Sequence, residues 1–107
     1  MNAHLMLDLS KVAGPVYTGR ERGEALRAKY ELDAKEDAVE VVDVVIPAST
    51  YTVSSSFFLG LFGPSVIKCG SVSRFRSKYR FKGPEFLQPV LEGHAALALQ
   101  GRRILGA

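Results

Sequence analysis

Three adjacent serines, Ser54-Ser55-Ser56, stand immediately before the strongly apolar run Phe57-Phe58-Leu59-Gly60-Leu61-Phe62-Gly63. Hydroxyls at such a boundary accept hydrogen bonds from the first backbone N–H groups of a helix. The same position favours added negative charge, because unpartnered N–H groups and the positive end of the helix dipole both attract an anion. The run therefore reads as a cap, as a phosphorylation or anion-binding site, or as both at once. A phosphoryl group there would add about two negative charges to the local surface, enough to recruit or repel a charged partner. Asp43 is the second conspicuous polar group. It lies inside the apolar run Val39-Glu40-Val41-Val42-Asp43-Val44-Val45-Ile46, where a carboxylate has to be compensated. It is expected at the strand's C-terminal bend, or at a sheet end facing the serine loop.

Lys68, Arg74, Arg76, Lys78, Arg80 and Lys82 form a basic stripe that no acidic residue interrupts. A solvated strand face, a protected sheet edge, an acidic partner surface or a phosphate backbone each accounts for such a stripe. The interleaved Phe75, Tyr79 and Phe81 are expected to face the core. They therefore supply no exposed stacking platform, which weakens the case for nucleic acid. Cys69 is the only cysteine, so no internal disulfide forms, and it reads as a packed thiol. His4 and His94 read as surface or capping histidines, and with one cysteine they make no metal cluster. A Walker A run, a dinucleotide fingerprint and paired catalytic carboxylates are all missing. A binding module without cofactor or metal is expected rather than an enzyme. A phosphate or nucleic-acid-binding module built on the basic stripe is the alternative, followed by a small enzyme of unrecognised class.

These residues must be positioned by 107 residues, the size of one domain spanning 1–107. With 47% hydrophobic and 23% charged residues the composition is that of an ordinary globular chain. The net charge of +3 is unevenly spread: residues 1–50 carry six basic and nine acidic side chains, residues 51–107 eight and two. Opposite-sign halves offer surfaces through which two copies can associate as a homodimer. No apolar run is long enough to span a bilayer, and the start MNAHLMLDLSK lacks the features of a signal peptide, so a cytoplasmic protein without membrane contact is expected.

The alternation of residues 4–9 predicts a first strand, with a turn at 12–15. Residues 18–32 predict a helix, with Thr18 as N-cap and Glu21 as its capping-box partner. On this helix Leu26 and Tyr30 share a face with Arg22, while Arg20/Glu24 and Arg27/Glu31 are expected to pair on the solvated side. Residues 39–46 predict a strand buried on both faces, as in a helix-covered parallel sheet, and Pro47 ends it. Residues 48–53 leave room for a short strand. The apolar helix after the serines is expected to kink or restart at Pro64, while Gly60 and Gly63 allow close packing. Period-two alternation over residues 74–82 predicts one amphipathic strand with every basic residue on one side. Pro89 and Gly93 predict a short helix, a break and a longer final helix over 85–105. Strands alternating with helices predict an α/β sandwich.

The succession GRERGEALR, VVDVV and TVSSSFFLGLFG resembles the STAS-like family, a domain family of unknown function distantly related to the STAS domains of anti-sigma factor antagonists. The likeness covers roughly residues 3–105. In that family a pair like Gly19-Arg20 opens the first helix, an aspartate like Asp43 ends the second core strand, and a pair like Ser56-Phe57 begins the next helix. The resemblance implies a small sandwich: a mixed sheet of about four strands with helices packed against it. It also implies regulation by association with a histidine-kinase-type ATPase or an anti-sigma-like protein, which phosphorylates a Ser or Thr at this helix start. Ser55 aligns with the acceptor, Ser56 with the hydroxyl residue after it, and Ser54 with the aspartate before it. Phe57 stands where STAS domains proper have a small glycine, and Pro47-Ala48-Ser49 look like additional residues. Signalling through Ser54, Ser55, Ser56, Phe57 and Asp43 is the function these residues are expected to serve.

Overall fold

The computed structural model describes residues 4–11 and 16–106, with side chains described as far as Gly101, so the turn expected at 12–15 lies outside the described residues. The chain runs β1 (His4–Asp8), a 3-10 turn (Leu9–Lys11), β2 (Val16–Tyr17), α1 (Arg20–Lys29), α2 (Leu32–Lys35) and a second 3-10 turn (Glu36–Ala38). It continues through β3 (Val41–Val45), β4 (Thr52–Val53), α3 (Ser55–Cys69), α4 (Val72–Lys78), β5 (Tyr79–Lys82) and α5 (Leu87–Gly106). This is the α/β architecture the alternating segments predict, with helices packed on the sheet. The five strands among the described residues form two ladders, β1-β3-β5 and β2-β4, and every pairing in them is parallel.

Register sorts the larger ladder into two faces. Leu5, Leu7, Val42, Val44, Tyr79 and Phe81 point into the core or pack against it. Met6, Asp43 and Arg80 form one row of the other face, and Met6 and Arg80 are exposed. Val41 and Asp43 are nonetheless buried on that side, at 8% and 9% exposure, between the longer side chains of the edge strands. The core is built around α3, whose Phe57, Phe58, Leu61, Phe62 and Val66 are all at most 2% exposed.

Two helices cross at a pair of glycines. A Cβ on Gly60 would lie 2.2 Å from the Arg20 carbonyl oxygen, and one on Gly23 would lie 2.3 Å from that of Phe57. Only hydrogen fits at either position, so the backbones of α1 and α3 meet directly. Close packing at Gly60 is as expected. The helix does not restart at Pro64: α3 is continuous through it, and Pro64 is exposed.

Two further segments differ from expectation. The alternating stretch 74–82 is not one strand; its first part is α4, capped by the Ser71 hydroxyl accepting from the Arg74 N–H at 3.1 Å, and only Tyr79–Lys82 is extended. Phe75 and Tyr79 are four residues apart, a spacing that shares a face in a helix as well as in a strand. Both are buried and their rings stack at 4.8 Å. The expected break in the last helix does not occur either. Pro89 falls in the first turn of α5, where its missing N–H costs no hydrogen bond, and the helix runs on through Gly93. Among the described residues no helix is long and apolar enough to cross a membrane.

Candidate functional site: paired helix starts

β2 and β4 lie side by side in parallel, with Val16 opposite Thr52 and Tyr17 opposite Val53. The Ser54 N–H extends this ladder by donating to the Tyr17 carbonyl at 2.8 Å. Both strands run straight into helices, so α1 and α3 begin next to each other at one edge of the fold. The Thr18 cap is not formed: Gly19 is the N-cap of α1, with no side-chain bond and a φ of 92° that a residue with a Cβ rarely adopts. Arg20 then opens the helix.

The three serines have different fates. Ser54 is the N-cap of α3, and its Oγ accepts from the Phe57 N–H at 3.1 Å. Ser55 is half-buried in the first turn, and Ser56 is exposed. Phe57, expected among the partner-contacting residues, is fully buried and packs on Tyr17 with ring centroids 5.5 Å apart. It anchors the helix start rather than meeting a partner. The Ser54→Ala variant is expected to lose about 1 kcal/mol of stability, a typical N-cap contribution. Ser56→Ala should change stability by less than about 0.5 kcal/mol, as exposed substitutions do. Urea unfolding of the two variants separates the capping hydroxyl from the exposed one.

Arg22 of α1 completes the site. Its guanidinium carbon lies 5.5 Å from the Tyr17 ring centroid and 5.9 Å from that of Phe57, and Nη1 donates to the Val16 carbonyl at 3.2 Å. The pattern of α1 already places Arg22 with Leu26 and Tyr30; its stacking on Phe57 depends on the α1/α3 crossing and has no local signal. His94 of α5 closes the other side, its Nε2 2.8 Å from the Val53 carbonyl and its ring 5.6 Å from that of Phe58. The Tyr17 hydroxyl donates to the Leu9 carbonyl at 2.9 Å, and burial raises its pKa.

Asp43 does not join the serines. It is the middle residue of β3, on the face opposite the core, with His4 Nδ1 at 3.1 Å and Lys82 Nζ at 3.7 Å. The hydrogen bond to His4 is the main reason its carboxyl lies below the usual aspartate range, with the positive charge of Lys82 adding to it. Compensation is thus as the sequence demands, but the partners come from neighbouring strands.

The basic stripe is dispersed. Lys68 is on α3, Arg74, Arg76 and Lys78 are on α4, and Arg80 and Lys82 are on β5. Lys68 holds both oxygens of Asp37 at 2.9 Å, and Arg76 holds Glu92 at 2.9 Å. Lys78 donates to the Val39 carbonyl at 2.9 Å, and Lys82 faces Asp43. A phosphate backbone would have to compete with these partners for most of the stripe. The thiol of Cys69 has its pKa raised, chiefly by burial, which disfavours the nucleophilic thiolate. Among the described residues no group of three His, Cys, Asp or Glu side chains could hold a metal ion.

The largest departure from the sequence reading is Arg27. Expected on a solvated side with Glu31, it is 6% exposed and faces α3. Its Nη1 donates to the Leu61 carbonyl and to Ser65 Oγ, both at 2.8 Å, and its Nε and Nη2 fork onto Asp33 Oδ1 at 2.9 and 2.7 Å. Nη2 also reaches Glu36 Oε2 at 3.1 Å, and Glu36 itself is 2% exposed. Glu36 Oε1 accepts from Ser65 Oγ at 2.7 Å and from the Tyr79 hydroxyl at 2.6 Å. Burial, and then donation to this carboxylate, hold the Tyr79 phenol far above its ordinary pKa. The cluster ties the last turn of α1, the second 3-10 turn, α3 and β5 together. The chain was compared with family models, curated proteins and solved structures, and none of them matches it.

Proposed function

We propose that this chain is a cytoplasmic regulatory module that works by binding a protein partner through the paired helix starts, and that phosphorylation of Ser56, or of Ser55 beside it, switches that surface. The observation that carries the reading is the division among the serines: Ser54 alone makes the cap, while Ser56 is exposed one residue before Phe57, over which Arg22 is stacked. A phosphate on the first turn of α3 gains from the helix dipole and from the nearby guanidinium. It also changes the charge of the surface a partner meets. The resemblance to STAS-like domains supports a histidine-kinase-type ATPase or an anti-sigma-like protein as the partner class, so that the chemistry belongs to the partner and not to this chain. Fragmentation mass spectrometry of the protein purified from its own cells tests this. A phosphate mapped to Ser56 or Ser55 supports the reading, and phosphate confined to residues outside 54–56 contradicts it.

A further inference from the structure

Asp43 is left unused by the paired helix starts, yet it is an expensive residue to keep. It is the middle residue of β3, flanked by valines on both sides and only 9% exposed. A buried ion pair costs desolvation, and an apolar residue in its place is often no less stable. Its two oxygens have different partners: Oδ2 lies 3.1 Å from His4 Nδ1, and Oδ1 lies 3.7 Å from Lys82 Nζ. His4 comes from β1, two residues before Met6, the register partner of Asp43, so the contact runs diagonally across the ladder. Arg80 is the partner of Asp43 on β5, and it is exposed. A carboxylate at one imidazole nitrogen fixes the proton there and leaves the other nitrogen its lone pair. For His4 the proton stands on Nδ1, which donates to Asp43, and Nε2 is the free nitrogen. The side chain is 46% exposed, so the ring is open to a reactant from solution.

We infer that His4 accepts a phosphoryl group on Nε2, with Asp43 as the residue that positions its ring. The donor class is a phosphoramidate, carried as the phosphohistidine of a second protein. An exposed ring on a sheet face suits a donor brought by another protein surface, whereas a free small substrate needs a concave pocket. The Nε2 lone pair attacks phosphorus and the P–N bond of the donor breaks. The donor's leaving group, which already carries one extra proton, departs as a neutral base with the electron pair of that bond. His4 becomes a phosphorylated imidazolium, with its proton still on Nδ1. Asp43 stabilises that cation and keeps the ring in the reactive tautomer, the two services an aspartate performs for a catalytic histidine. Lys82 and Arg80 outnumber the single carboxylate between them and favour the incoming dianion. His94 supplies the contrast: its Nε2 is engaged by donating to the Val53 carbonyl, and its half-buried ring packs on Phe58. The site stands whether or not Ser55 and Ser56 are modified.

Phosphoramidate itself is the probe, with ammonia as its leaving group. The full chain is incubated with it, and labelling of the two histidines is followed by phosphorus NMR and by peptide mass spectrometry at alkaline pH. A phosphohistidine is lost in acid and a serine phosphate is kept, so acid treatment reads this site separately from the serines. His4 should be labelled at least about tenfold faster than His94, and at least about tenfold faster than His4 of the urea-unfolded chain, where Asp43 no longer holds the ring. Asp43→Asn should slow labelling of His4 by about tenfold or more and leave that of His94 unchanged, whereas a general loss of structure would move both. Equal rates at the two histidines, a His4 rate no higher than in the unfolded chain, or an Asp43→Asn variant labelled at the parent rate would overturn the proposal.

Discussion

Arg27→Ala is expected to lower the unfolding free energy by about 3 kcal/mol, because it removes the nearer of the two cations that face the buried carboxylate of Glu36. Glu36 is 2% exposed, and what would remain beside it is two hydroxyls and the half-exposed Lys68 ammonium at 3.5 Å. Ordinary domains hold only about 5–15 kcal/mol in total, so the loss should be visible as a large shift of the urea midpoint. Arg27→Lys should recover little of it, since an ammonium cannot reproduce the fork onto Asp33 together with the contacts to Leu61 and Ser65. Glu36→Gln separates the charge from the hydrogen bonds, for the amide can still accept from Tyr79 or Ser65 while Arg27 loses its buried partner. A double-mutant cycle on Arg27 and Glu36 should show strong coupling. Equal, small and additive effects would mean that the cluster is solvated in solution.

Gly60→Ala is the second large effect, and its sign is the informative part. Within a helix this change ordinarily stabilises by about 1 kcal/mol. Here the new methyl would lie 2.2 Å from the Arg20 carbonyl oxygen, a backbone atom that cannot swing aside, so α1 and α3 must separate. A net loss of about 1–3 kcal/mol is expected, the range for an overpacked core. Gly63→Ala on the same helix supplies the control. Its Cβ would meet nothing nearer than the Leu59 side chain at 3.8 Å, so it should stabilise by roughly the ordinary propensity gain. Because the paired helix starts depend on this crossing, Gly60→Ala should also displace Arg22 from Phe57, which amide chemical shifts of residues 54–58 would report.

Local chemistry explains which features were legible. The β-branched run around Val41–Val45 and the stop at Pro47 mark a parallel-sheet strand without tertiary information, and the serines before an apolar run mark a helix start. Residues 72–78 were not legible as a helix because the spacing of Phe75 and Tyr79 satisfies both periodicities, and the deciding cap, Ser71, precedes the alternating stretch. Arg27 was hidden for a different reason. Its partners Glu36, Leu61 and Ser65 are 9, 34 and 38 residues away, and an arginine four residues before a glutamate reads as a surface pair until the fold brings a second carboxylate closer. The signal that was present is Ser65, a polar residue in the apolar α3, whose full burial requires a partner. Asp43 was legible as a compensated carboxylate, but its partners were set by strand register and not by the nearby loop.

The measurement that bears most directly on the central claim is intact-mass spectrometry of this protein after incubation with ATP and a histidine-kinase-type ATPase from the same cell, the kinase having been shown active on a control substrate. A gain of one phosphate is expected, persisting in Ser54→Ala and disappearing in the Ser55→Ala/Ser56→Ala double variant. A mass that stays unchanged, or a phosphate that survives in the double variant, would contradict it.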